Sequence, residues 1–179
     1  TPESAAICAR ECAAGRAPVT MANAERAILA RLRAMREEDL APFDGGGEGL
    51  YHRFYDAVQR ETSIEDILAA AKSKRYAYAR LRRLLLAAYL GVTPEDTPQR
   101  VPYLRVLACN ARGREVLKTM KTTAAAPILT KSAQVRRLDA GAQRLFALTA
   151  RAEEQYTLAY PSLAAAKPGS AWTTTPVIL

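Results

Sequence analysis

The chain has 179 residues, three cysteines, one histidine and a formal net charge of +8, from 26 Lys and Arg against 18 Asp and Glu. That size can bury a core without staples, and an odd, low cysteine count sets aside a disulfide framework and favours a reducing cytoplasm. No apolar run reaches the roughly 20 residues of a membrane span, no secretory leader is legible at Thr1, and the positive balance fits a nucleic-acid partner, although many basic proteins bind none. The start at Thr1 rather than Met fits a piece of something longer.

Thr1-Pro2-Glu3 reads as a helix start: a capping hydroxyl, a proline at the first helical position and an acid in the first turn. That helix should stop near Gly15. A second helix is expected over Asn23 to Met35, with Ala24, Ile28, Leu32 and Met35 on one face. Glu37 to Leu40 reads as a short helical turn. Asp44-Gly45-Gly46-Gly47-Glu48-Gly49 is glycine-rich but lacks the lysine and Ser/Thr of a phosphate loop, so it reads as a plain loop. Leu50 to Gln59 is helical in pattern, with Leu50, Phe54, Ala57 and Val58 inward. Ser63 and Asp66 open a further helix to about Ala71. The next helix is expected from Tyr76 to Leu90, ended by Gly91. Thr93-Pro94 and Thr97-Pro98 mark a loop.

Beyond it the pattern changes. Tyr103 to Ala108 reads as a short strand, Asn110 to Gly113 as a turn, Arg114 to Lys121 as a helix and Pro127 to Thr130 as a second strand. Strand, helix, strand at that spacing is a βαβ unit, so the strands should be parallel with a right-handed crossover. A long helix from about Asp139 to Ala159 is closed by Tyr160-Pro161. The fold class is mainly α: a helical domain over 1–161 with a small two-stranded parallel sheet, followed by an extended tail over 162–179.

The segment Lys72-Ser73-Lys74-Arg75-Tyr76-Ala77-Tyr78-Ala79-Arg80-Leu81-Arg82-Arg83 carries six cations and no acid. On a helical wheel Ala77, Leu81, Leu84, Leu85 and Ala88 share a face; Arg75, Arg82 and Arg83 fall opposite, with Arg80 and Tyr76 at the margin. A buried helix with a basic entry end suits RNA, with arginines toward phosphates and Tyr76 or Tyr78 stacked on an unpaired base. The competing reading is a solvated face with Tyr78 packed in the core. No catalytic or metal-ligating set is legible. His52 stands alone, Cys8 and Cys12 lack zinc partners, and the adjacent pairs Glu65/Asp66 and Glu95/Asp96 diverge on a helix.

Four blocks in order, Glu48-Gly49-Leu50, Lys72 to Leu85, Pro102-Tyr103-Leu104-Arg105-Val106-Leu107 and Pro127-Ile128-Leu129-Thr130-Lys131, resemble the C-terminal half of the tRNA(Met) cytidine acetate ligase family, within the HIGH superfamily of nucleotidyltransferases. The resemblance implies a cytoplasmic parent enzyme that uses ATP, with magnesium, to activate acetate as acetyl-adenylate and then acetylates N4 of the wobble cytidine of elongator tRNA(Met). The family's ATP-binding N-terminal nucleotidyltransferase domain has no counterpart here, so no cofactor or catalytic residue is expected in this chain. The family's basic motif falls on Lys72, Lys74, Arg75, Tyr76, Arg80, Arg82 and Arg83, which the resemblance makes the tRNA contacts. Its usual threonine is Ser73 and Ala77 here, and its Glu-Gly-Leu-Glu-Asn-Arg element reads Glu48-Gly49-Leu50-Tyr51-His52-Arg53. The alternative is a divergent member in which this domain is a protein-interaction or stand-alone RNA-binding module.

Overall fold

A computed structural model describes residues 1–45 and 49–179; Gly46, Gly47 and Glu48, and with them part of the expected glycine loop, lie outside the described residues. The chain forms two compact units, one of 1–96 with 155–166 and one of 97–154 with 167–179.

The first unit is helical. Helix α1 (Pro2–Ala13) begins where expected, with the Thr1 hydroxyl accepting the Ser4 N–H at 3.2 Å. Helices α2 (Glu25–Arg33) and α3 (Glu37–Leu40) follow, then α4 (Leu50–Arg60), α5 (Ile64–Ala71) and α6 (Tyr78–Leu90). The apolar stripes read from periodicity are buried, namely Ala24, Ile28, Leu32 and Met35 from the second helical stretch, Leu50, Phe54, Ala57 and Val58 from α4, and Leu81, Leu84, Leu85 and Ala88 from α6; the exception is Ala77, which lies before α6 and is exposed. They meet in one core with Leu40, Ile67 and Tyr76. Ser63 caps α5 by accepting the Asp66 N–H at 3.1 Å. Gly91 ends α6 at φ 69°, a left-handed conformation that a side chain would strain.

The second unit carries the expected parallel pair. Strands β1 (Leu104–Arg105) and β3 (Ile128–Leu129) are hydrogen-bonded in parallel, Leu104 opposite Ile128 and Arg105 opposite Leu129. Helix α7 (Ala111–Thr123) between them is longer than expected. Asn110, read as a turn residue, is its cap and accepts the Gly113 N–H at 2.8 Å.

The expected strand over 103–108 is instead two short ones, since strand β2 (Ala108–Cys109) pairs elsewhere. Its partner is strand β4 (Val177–Ile178), in parallel register with Ala108 opposite Val177. The segment read as an extended tail therefore adds a second two-stranded sheet, and it also holds the short helix α9 (Ser170–Thr173). Helix α8 (Ala140–Thr157) supplies Phe146 to a small core with Leu129, Val135 and Ala171. Trp172 meets the Phe146 ring edge-on at 4.8 Å between centroids. The architecture is mainly α with two small parallel sheets.

Candidate nucleic-acid interface

Residues 72–77 are not helical; α6 starts at Tyr78, two residues later than the wheel assumed. The basic segment is thus a loop feeding a helix. Three contacts hold that loop to the first unit's core.

The first is Arg53, whose guanidinium donates to the carbonyls of Ala71 at 2.8 Å, Ala70 at 2.9 Å and Lys72 at 3.3 Å. These carbonyls lie at the end of α5, where helix geometry leaves acceptors unpaired and the helix dipole favours a cation. The arginine of one motif block thereby fixes the first residue of the next.

The second contact is Tyr76, which sequence reasoning placed at the margin of the helix as a surface for a base. It is buried at 8% exposure and belongs to the core. Ser73 turns the chain inward here, its hydroxyl accepting the Tyr76 N–H at 3.2 Å. The guanidiniums of Arg80 and Arg75 lie 5.4 and 5.7 Å from the Tyr76 ring centroid, within cation–π range. Tyr78, read in the competing view as core, is the exposed aromatic, with the Lys72 ammonium 5.1 Å from its ring centroid. The wheel set Tyr76 at the margin; the structure buries it and exposes Tyr78, because the loop breaks the helical period between them.

The third contact is made by Arg80, which the wheel placed at the margin and which is only partly exposed. It pairs with Asp44 at 3.3 Å, and the Asp44 side chain is only 2% exposed. Asp44 also accepts the Leu50 N–H at 3.0 Å and so secures the start of α4. No acid lies within the basic segment, but one thirty-six residues away neutralises one of its cations.

The outward set is Lys72, Lys74, Arg75, Arg82 and Arg83, all exposed. Among the described residues Lys74, Arg82 and Arg83 have no ion-pair partner. Arg82 and Tyr78 line an open groove of about 680 Å³ floored by Ile64 and Leu68, with Glu25 and Glu65 also on its wall. The groove offers one aromatic face and one guanidinium beside an apolar floor.

The remaining chemistry-bearing residues are dispersed. His52 is at the surface with Glu37, and Cys8 and Cys12 are exposed and free. Among the described residues no group of three His, Cys, Asp or Glu is placed to hold a metal ion, and no helix is long and apolar enough to cross a membrane.

Fold and site together define an α-helical unit that presents a fixed strip of positive charge. The chain belongs to the HIGH nucleotidyltransferase family, whose model matches residues 1–170. It is 36% identical over 131 residues to a tRNA(Met) cytidine acetate ligase of Kosmotoga olearia, covering 71% of this chain and 31% of that protein. The protein of the same name from Syntrophomonas wolfei is 28% identical over 186 residues, or 99% of this chain and 45% of its own length. The crystal structure of Thermotoga maritima TmcAL superposes with a TM-score of 0.88 at 27% identity, over 95% of this chain and 43% of that one. A second structure of that protein, bound with alpha-thio ATP, matches with the same score over 44% of its length. The chain spans less than half the length of these relatives.

Proposed function

We propose that this chain is the tRNA-gripping portion of an ATP-dependent ligase that acetylates N4 of the wobble cytidine of elongator tRNA(Met). The observation that carries the reading is the pairing of burial and charge on α6. Leu81, Leu84 and Leu85 are at most 3% exposed, while Arg82 and Arg83 between them face outward without an acid partner among the described residues. Rigidly mounted cations of this kind lower the entropy lost on gripping a phosphate backbone.

In this reading Lys72, Lys74, Arg75, Arg82 and Arg83 contact phosphates. Arg80 and Tyr76 act from beneath, holding the loop through Asp44 and the core. Tyr78 offers its face to an unpaired base. Activation of acetate with ATP and magnesium belongs to a nucleotidyltransferase portion of the parent protein, and the residues described here bind and orient the RNA.

The test is tRNA(Met) binding across a salt series. Arg82→Ala and Arg83→Ala should each weaken binding and flatten the log–log salt slope by about one unit or less. Tyr78→Ala should cost about 1–3 kcal/mol with little change in slope. If the folded arginine variants keep both affinity and slope, the basic strip serves a protein partner and the RNA reading fails.

A further inference from the structure

The second unit has a basic cleft that the reading above does not use. It is an open pocket of about 390 Å³, walled by one face of α7, by β2 and β4, and by Thr130-Lys131 after β3. Arg114, Lys118 and Lys121 stand at i, i+4 and i+7 on α7, with Leu117 between them. That spacing puts all four on one helical face. Lys131 joins them from the far wall, and Val106, Pro176 and Ile178 complete an apolar lining. Lys118 is paired with Glu115 at 2.9 Å, whereas Arg114, Lys121 and Lys131 have no ion-pair partner among the described residues.

Three cations crowded into one cleft without an acid among its lining residues repel one another and favour an anion between them. The apolar lining calls for more than a bare anion. The volume sits near the low end of the roughly 300–1,000 Å³ usual for ligand sites, which suits a compact guest.

We propose that this cleft binds a nucleoside phosphate, its phosphate held by Arg114, Lys121 and Lys131 and its base laid against Leu117, Val106 and Pro176. The guest is either a free nucleotide or one nucleotide of an RNA strand, since both present the same phosphate and ring. The site shares no residue with the Lys72–Arg83 strip, so its failure and the failure of the tRNA reading are separate results.

Cys109 lines the cleft and is a free, half-buried thiol. It reports occupancy without reference to any enzymatic activity. The alkylation rate of Cys109 is followed by site-resolved mass spectrometry, with the exposed Cys8 and Cys12 as internal references. The probes are AMP, a short oligoadenylate and inorganic phosphate.

At roughly ten times its dissociation constant a bound guest should slow Cys109 alkylation about tenfold while Cys8 and Cys12 are unchanged. Protection by AMP but not by the oligonucleotide upholds the site with a free nucleotide as guest; protection by the oligonucleotide alone upholds it with an RNA strand. The exposed pair Lys121→Ala and Lys131→Ala should abolish protection with an unchanged circular dichroism spectrum, and Lys121→Glu should do the same. Absence of protection by either nucleotide probe overturns the proposal. So does equal protection by inorganic phosphate at the same concentration, or protection that persists in the lysine variants.

Discussion

Removing the guanidinium of Arg80 should damage this protein more than removing its partner Asp44. The asymmetry follows from their exposures, 29% for the Arg80 side chain and 2% for Asp44. In Arg80→Ala the carboxylate stays in the interior with the Leu50 N–H as its remaining described donor. Breaking a buried pair in this way costs about 3–5 kcal/mol, and the surviving hydrogen bond places this case at about 3. In Asp44→Ala the loss is a helix-start acceptor worth about 1 kcal/mol, plus about 1 for the ion pair to an arginine that is partly exposed. Asp44→Asn keeps an acceptor for Leu50 and should cost about 1 kcal/mol. The double variant should be no worse than Arg80→Ala alone, giving a coupling energy of about 2 kcal/mol. Urea denaturation at neutral pH followed by circular dichroism measures all four. Hydrogen exchange should place the loss in α4 and α6. If Asp44→Ala is the more damaging single change, or if both singles fall within about 0.5 kcal/mol of the parent, Asp44 is not a buried charged anchor and the account of the loop is wrong.

Two further substitutions probe the core of the first unit. Leu85→Ala, at a position with 0% exposure, should cost about 2–5 kcal/mol in the same denaturation experiment. The Tyr89 hydroxyl is buried without a hydrogen-bond partner among the described residues, so Tyr89→Phe should be neutral or stabilising by up to about 1 kcal/mol. Burial also pushes the Tyr89 phenol above its usual value near 10. The unfolded chain therefore ionises first, and the stability contribution present below that pH is lost as pH rises through the raised value. The Phe variant should show a smaller loss of stability than the parent above about pH 10.

What sequence could reveal followed the range of the interactions. Capping chemistry is local, so the roles of Thr1, Ser63 and Gly91 were legible from neighbours. Periodicity marked the buried faces of α4 and α6 because each face repeats within one helix. The basic strip was legible as charge, but its inner geometry was not. The wheel carried helical phase back to Tyr76, whereas Ser73 bends the chain there and sends that ring inward. A serine three residues before an aromatic at a helix entrance was the available signal. The Asp44–Arg80 pair joins residues 36 positions apart across a glycine-rich stretch, and no local pattern announces such a partner. The β2–β4 pairing had only the apolar Val177-Ile178 as a hint, because a strand of two residues takes its identity from its partner.

The Arg53 contacts decide what moving or rebuilding this surface requires. One planar group closes three carbonyls, two from the end of α5 and one from Lys72. A lysine there would offer a point charge without the fork, so Arg53→Lys would leave part of that set open. Transplanting Lys72 to Arg83 onto another helical scaffold would carry the charges but lose what aims them. A working graft would have to bring the end of α5 with Arg53 opposite it, and Asp44 beneath Arg80. The smallest portable unit is therefore discontinuous in sequence, and chimeras cut between Arg53 and Lys72 should keep their charge while losing its direction.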